Sequence, residues 1–235
     1  MKKKTRWPLY LIIGLIITFI AFTVPLPYYI EVPGTSEDIR KVLQVNNQPD
    51  QEEGSYQFVT VGVKHARLVD LVYAWLTPFT DIHSAKEMTG GSSDAEFMRI
   101  NQFYMETSQN LAKYQGLKTA GKEIELKYLG VYVLTVTDNS TFKGVLNIAD
   151  TVTAVNDKTF ESSKEMVDYV NSQTLGDQVK VTYEEDGKVK TAEGKIITLE
   201  NGKNGIGIGL IDRTEVSSDV PIKFSTAGIG GPSAG

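Results

Sequence analysis

Apolar residues along this chain follow changing spacings. From Trp7 to Ile30 no residue is charged at all. In "QFVTVGV" the apolar positions alternate, with Val59, Val61 and Val63 taking every second place as in a strand with one buried face. In "ARLVDLVYAWLTPF" the spacing becomes helical. It sets Leu68, Leu71, Val72, Trp75 and Leu76 on one side of a core helix that Thr77-Pro78 ends. A longer helix is predicted from Ser93, with Glu96 at capping-box spacing; it carries Phe97, Ile100, Tyr104 and Leu111 and stops at Gly116. Its aromatic and methionine stripe reads as packing rather than a cofactor site.

From about Glu123 the pattern changes to short strands. "EIELKY" buries Ile124, Leu126 and Tyr128, and "VYVLTV" follows after Leu129-Gly130-Val131. "TVTAVN" is a further strand. "ESSKEMVDYVNSQTLG" is a helix with Ser162 and Glu165 as its capping box and Met166, Val167 and Val170 facing inward. "QVKVTYEEDGKVKTAEGKII" reads as a hairpin turning at Asp186-Gly187. The "GIGIG" stretch from Gly205 to Gly209 suggests close backbone packing rather than a ligand loop. Val220 to Phe224 then form a short strand leading into the terminal "GIGGPSAG".

Charge adds a location. The formal net charge is −5, yet the first six residues hold four cations, Lys2, Lys3, Lys4 and Arg6. The acidic remainder offers no footprint for nucleic acid. The uncharged run after the cations, flanked by Trp7 and Tyr10 and by Tyr28 and Tyr29, predicts a single transmembrane helix over residues 7–27. A cleaved signal peptide is the competing reading, and bulky Phe22, Val24 and Leu26 oppose it. The basic flank, residues 1–6, belongs on the cytoplasmic side, so the bulk of the chain is expected outside a cell membrane. There is no cysteine, and His65 and His83 have no ligand-type neighbours at metal spacing; no metal or cofactor is expected.

The order of elements from residue 123 to 212 resembles a PDZ domain. The matching stretches are Leu129-Gly130-Val131 for its glycine-containing loop, "NIADTVTAVNDK" for its Gly-Asp-x-Ile-x-x-Val-Asn-Gly stretch, and "SSKEMVDYVNSQ" for its groove helix. Two departures stand out: Ala149 where glycine is common, and Asp157 after Asn156. The resemblance implies peptide binding by strand addition along Leu129, Gly130, Val131, Tyr132 and Val133, against Met166 and Val170 of the helix. Gly130 read by itself is equally a bulge or tight bend.

The closing segment fits no phosphate loop, because no lysine followed by Ser or Thr comes after its glycines. Gly231-x-Ser233-x-Gly235 matches a nucleophile elbow formally, but Pro232 and the preceding strand order fit that motif poorly. Gly-Pro-Ser-Ala-Gly is instead similar to the nucleophile segment of Lon-type serine proteases, and the whole chain resembles PDZ-containing, membrane-anchored Lon-like peptidases. That resemblance implies an ATP-independent Ser-Lys endopeptidase cleaving secreted peptides or proteins, such as a signalling peptide. Ser233 would be the nucleophile, and the amides of Gly231 and Ser233 are oxyanion candidates. Lys223 lies upstream on the predicted strand and reads as a solvated side chain. The family's lysine lies some tens of residues after its serine, beyond Gly235, so the sequence as it stands is expected to be inactive.

The expected fold class is therefore α+β: a membrane anchor, a mixed α/β segment over 31–122, a PDZ domain over 123–212, and the start of a Lon-type protease domain over 213–235. A non-catalytic anchored PDZ adaptor is the alternative.

Overall fold

The computed structural model describes residues 6–185, 187–226 and 228–231. Along the chain run α1 (Trp7–Thr23), β1 (Pro25–Asp38), α2 (Ile39–Val42), β2 (Leu43–Val45), β3 (Gln57–Arg67), α3 (Leu68–Leu76), β4 (Asp81–Ser84), α4 (Ala85–Thr89) and α5 (Asp94–Thr119). They are followed by β5 (Glu125–Val136), β6 (Thr151–Val155), α6 (Ser163–Asn171), β7 (Gln178–Glu185), β8 (Lys188–Lys195), β9 (Ile197–Thr198), β10 (Asn204–Gly205), β11 (Ile208–Ser217) and β12 (Ile222–Phe224). The chain divides into two compact units, Met1–Ile39 with Ser55–Asp94, and Arg40–Gly54 with Ala95–Gly235.

Among the described residues no helix is long and apolar enough to cross a membrane. This overturns the transmembrane helix expected over residues 7–27. α1 holds 17 residues, about 26 Å at 1.5 Å per residue, which falls short of a hydrocarbon core of about 30 Å. Val24 is already extended. Pro25 and Pro27, which have no amide hydrogen to give a helix, carry the chain into β1.

The first unit is built on an antiparallel sheet of order β3-β1-β4, with Ile30 and Ala66 fully buried. Two sequence expectations reverse here. Val59 and Val61 of β3 are 75% and 63% exposed, while Phe58 and Thr60 on the other face are half-buried. Alternation establishes that a strand has two faces; it does not say which one is covered. Likewise α3 exposes Leu68, Val72, Trp75 and Leu76 and buries Asp70 instead. The Asp70 carboxylate accepts from Lys64 Nζ at 2.8 Å and from the Arg67 amide at 2.9 Å. Its side chain thereby satisfies an orphan donor in the first turn. Both histidines of this unit meet carboxylates: His65 Nε2 lies 2.7 Å from Asp94 and His83 Nε2 lies 3.6 Å from Glu31.

The second unit carries a five-stranded sheet of order β11-β5-β6-β7-β8, antiparallel throughout. One face packs on α6. Val131, Val133, Val152, Val155, Val179 and Val181 meet Met166 and Val170 there, around Phe142 and Ile196. The α6 helix starts at the predicted cap, Ser162 Oγ accepting from the Glu165 amide at 3.2 Å, but the expected capping box is only half formed, because the Glu165 carboxylate accepts from the Glu161 amide. Val167, expected inward, stays 36% exposed. β7 and β8 form the predicted hairpin, Glu185 pairing with Lys188; Gly187 has a φ of +76°, and Asp186 lies outside the described residues. The long helix α5 does not stop at Gly116 but runs on to Thr119, and places the Phe103 ring against Tyr132 of β5.

Two turns explain the departures noted at Ala149 and Asp157. Ala149 has a φ of +76°, and Asn156 and Asp157 have φ of 51° and 61°. The Asn156 side chain compensates by accepting from the Lys180 amide at 2.9 Å and donating to the Tyr169 hydroxyl at 3.2 Å. Ala149 has no such compensation in a methyl group. Its Cβ pays the left-handed penalty that glycine avoids, so Ala149→Gly is expected to raise stability by about 1 kcal/mol after glycine's entropy in the unfolded chain is deducted. A higher urea midpoint with an unchanged slope would register this gain, and a fall in midpoint would contradict it.

Candidate functional site

The residues expected to receive a peptide lie in the middle of the sheet, not at its edge. β5 is one continuous strand across Gly130. Val131 and Tyr132 pair with Asp212 and Ile211 of β11 on one side and with Val152 and Thr151 of β6 on the other. Their backbone is therefore used up, and strand addition along Val131 to Val133 is excluded in this fold. Leu129 is the extra residue of a bulge, since Arg213 faces Gly130 while Thr214 faces Tyr128. Gly130 has a φ of +133°, and a Cβ there would run into the Val152 carbonyl oxygen. It is a close-packing glycine. Met166 and Val170 are indeed on the helix beside the sheet, but as buried core residues at 2% and 5% exposure.

The sheet has two terminal strands, β8 and β11, and among the described residues no strand pairs with the outer side of β11, the one that neighbours β5. Its start lies in the glycine stretch that sequence reasoning set aside. Two hydrogen bonds tie the chain around α6 at either end of this edge: the Ser163 amide donates to Asp212 Oδ1 at 3.1 Å, and Asn204 Nδ2 donates to the Gln173 carbonyl at 2.8 Å. Between them Ile208 and Leu210 are half-buried against the core. Two half-buried apolar side chains thus lie along a strand side that no other described strand pairs with, while farther on the Thr214 carbonyl accepts from Asn110 Nδ2 at 2.9 Å.

The loop entering β11 adds polarity. Ser140 Oγ donates to the Ile206 carbonyl at 2.6 Å, and the Thr137 amide donates to the Gly207 carbonyl at 2.8 Å. In a trans peptide the amide hydrogen points opposite the carbonyl of the same plane. The Gly207 and Ile208 amides accordingly point away from Ser140 and Thr137, and the Gly207 amide donates to no described backbone group. Gly207 has a φ of +74°, and a Cβ there would meet Thr137 Oγ1 at 2.5 Å. Successive outward-turned amides of this kind suit an anion such as a carboxylate. The usable signal in the sequence was "NGIGIGL", a glycine-alternating run leading straight into a strand.

Toward the other end of β11 the Tyr128 hydroxyl is buried without a hydrogen-bond partner among the described residues. Burial, and then the charges of Asp212 and Glu165, push its pKa up. Glu165 accepts from the Glu161 amide at 3.0 Å and lies 3.5 Å from Lys158 Nζ.

Ser233 and Pro232 lie outside the described residues, so the structure gives no geometry for the candidate nucleophile. The segment approaching it is described. β12 pairs with β2, Gln109 Nε2 of α5 donates to Thr226 Oγ1 at 2.8 Å, and the Gly231 amide donates to the Asn101 carbonyl at 2.8 Å. That amide must leave Asn101 before it can face an oxyanion. Lys223, on β12, is opposite Gln44. Among the described residues no group of three or more His, Asp or Glu side chains is placed to hold a metal ion.

Residues 101–196 match the PDZ domain family model. The chain is similar to the PDZ domain of an SdrC-like protein from Listeria monocytogenes, at 36% identity over 37% of this chain and 93% of that one, with a TM-score of 0.35. It is similar to the PDZ domain of an SdrC-like protein from Listeria innocua at 36% identity, over 34% of this chain and 92% of that one, with a TM-score of 0.33. A Geobacillus thermodenitrificans protein is 30% identical over 34% of this chain and 94% of its own, with a TM-score of 0.31. A search of curated proteins finds no match.

Proposed function

The chain belongs to the PDZ-domain proteins, and we propose that it binds the free C-terminus of a peptide along the outer edge of β11. The observation that carries this is the unpaired β11 edge lying beside α6, with the Gly207 and Ile208 amides turned outward at its head. A peptide pairs its backbone with that edge, sets alternate side chains against Ile208 and Leu210, and gives its carboxylate to the loop amides. The groove expected beside Gly130 thus moves one strand outward, while the helix that walls it stays the same.

Charge-assisted hydrogen bonds to the carboxylate dominate such a complex, each contributing about 1.5–3 kcal/mol. A fluorescent peptide ending in valine with a free carboxylate is expected to bind the full chain at least about ten-fold more tightly than its C-terminal amide. Equal affinity for the two, by anisotropy titration, would remove the loop from the site.

The finer proposal is that the bound peptide is a substrate. Gly231-Pro232-Ser233-Ala234-Gly235, in the order found after a PDZ domain in Lon-like peptidases, supports Ser233 as the nucleophile of an ATP-independent serine endopeptidase. A peptide-binding adaptor without chemistry is the reading left if Ser233 is idle.

A further inference from the structure

We infer that the β11 groove selects peptides with a basic side chain four residues before the C-terminal residue, through Asp212 at its far end; this rests on the binding reading above. Ile208, Leu210 and Asp212 alternate along β11, and the first two pack toward the core beside α6 while the third meets the first amide of that helix. A ligand strand whose last residue lies opposite Ile208 therefore brings its next inward side chain to Leu210 and the one after that to Asp212. The first two positions are apolar. The third is a carboxylate.

Its charge is not spent within the molecule. The Asp212 side chain accepts from the Ser163 amide, and no Lys, Arg or His lies within ion-pair distance of it among the described residues. Arg213, next in sequence, is turned to the opposite face of the strand, where it reaches Thr151 Oγ1 at 2.8 Å and lies over the Tyr132 ring. A ligand ammonium or guanidinium supplies the counter-charge that Asp212 lacks. Glu165 adds negative potential but already has Lys158 at 3.5 Å, which leaves Asp212 as the deciding group.

Three otherwise identical fluorescent peptides ending in Ala-Val-Ala-Val with a free carboxylate, and preceded by Lys, Ala or Glu, test this on the full chain. The Lys peptide is expected to bind about five-fold more tightly than the Glu peptide, with Ala between, a ratio typical of one partly buried charge contact. Raising the ionic strength to about 0.5 M compresses that ratio, because the contact is screened. In Asp212→Asn, which keeps an oxygen to accept from Ser163, the Lys-to-Glu ratio falls toward one. A wild-type ratio at or below one, or a ratio that neither salt nor Asp212→Asn changes, overturns the selectivity while binding of the Ala peptide leaves the groove standing. If none of the three binds, the groove and its selectivity fall together.

Discussion

Gly130→Val is expected to unfold the second unit. Two separate costs meet at this position. A φ of +133° is open to glycine and strained for a branched side chain, and a Cβ in that conformation has nowhere to go. Besides the Val152 carbonyl oxygen it would lie 3.1 Å from the Val152 carbonyl carbon and 3.2 Å from Thr151 Cγ2. These are backbone and near-backbone atoms of β6, fixed by pairing on both sides. Strain and overpacking together should cost about 3–5 kcal/mol, a large part of what holds a domain of this size. Gly121→Ala separates the two effects, because Gly121 also has a positive φ, +65°, but open space around it. It should lose only about 1 kcal/mol. Urea titration of both variants decides the matter: if Gly130→Val keeps the wild-type midpoint, the close approach of β5 to β6 is wrong.

In a form of the protein that also carries the lysine base implied by the Lon-like resemblance, Ser233→Ala should abolish peptide cleavage and leave thermal unfolding unchanged. In such a mechanism the serine oxygen attacks the scissile carbonyl, the amine leaves, and water hydrolyses the resulting ester to regenerate the hydroxyl, so a methyl group in its place removes the covalent path rather than slowing it. The expected loss is at least about 10³-fold in kcat, by analogy with other activated serines. The fold should be indifferent, because a serine-to-alanine change in the glycine-rich Gly231–Gly235 stretch alters one hydroxyl and leaves the core around Phe142 and Ile196 untouched in sequence. Binding of the carboxylate peptide should survive too, since the β11 edge is separate in sequence from Ser233. Undiminished cleavage in this variant would end the serine assignment and leave the adaptor reading.

How much of this was legible beforehand depended on whether a residue's neighbours were near in sequence. The Ser162 cap, Met166 and Val170 of α6, and the β7–β8 hairpin are local patterns that formed where their spacing placed them, whereas Glu165 bonds the Glu161 amide instead of closing a capping box and Val167 stays exposed. The groove was not local. Leu129-Gly130-Val131 and "GIGIG" are both glycine-containing approaches to strands, and only the pairing of β5 with β11 tells which strand is left with an open side. The same limit produced the reversed faces of β3 and α3, where periodicity was read correctly as geometry but its covered side was assumed. At α1 the misjudgement was one of length: apolar composition continued to Ile30, but the helix ended at Thr23 where prolines begin. Ala149 and Asp157 were visible as exceptions to a glycine pattern, and both proved to have left-handed backbone.

The pairing of β11 with β5 also sets an order of events. Ile208 meets Val136 and Ser217 meets Glu125, so the loop between partners contains nearly the whole domain. Closing so long a loop is entropically unfavourable until the intervening hairpin and helix have shortened it. On a ribosome, β5 emerges with one side bare and waits for β6, α6, β7 and β8 before its second partner exists. The edge proposed for peptide binding is then the last part of this sheet to form, and a half-made chain offers neither the strand nor the amides that the proposal requires.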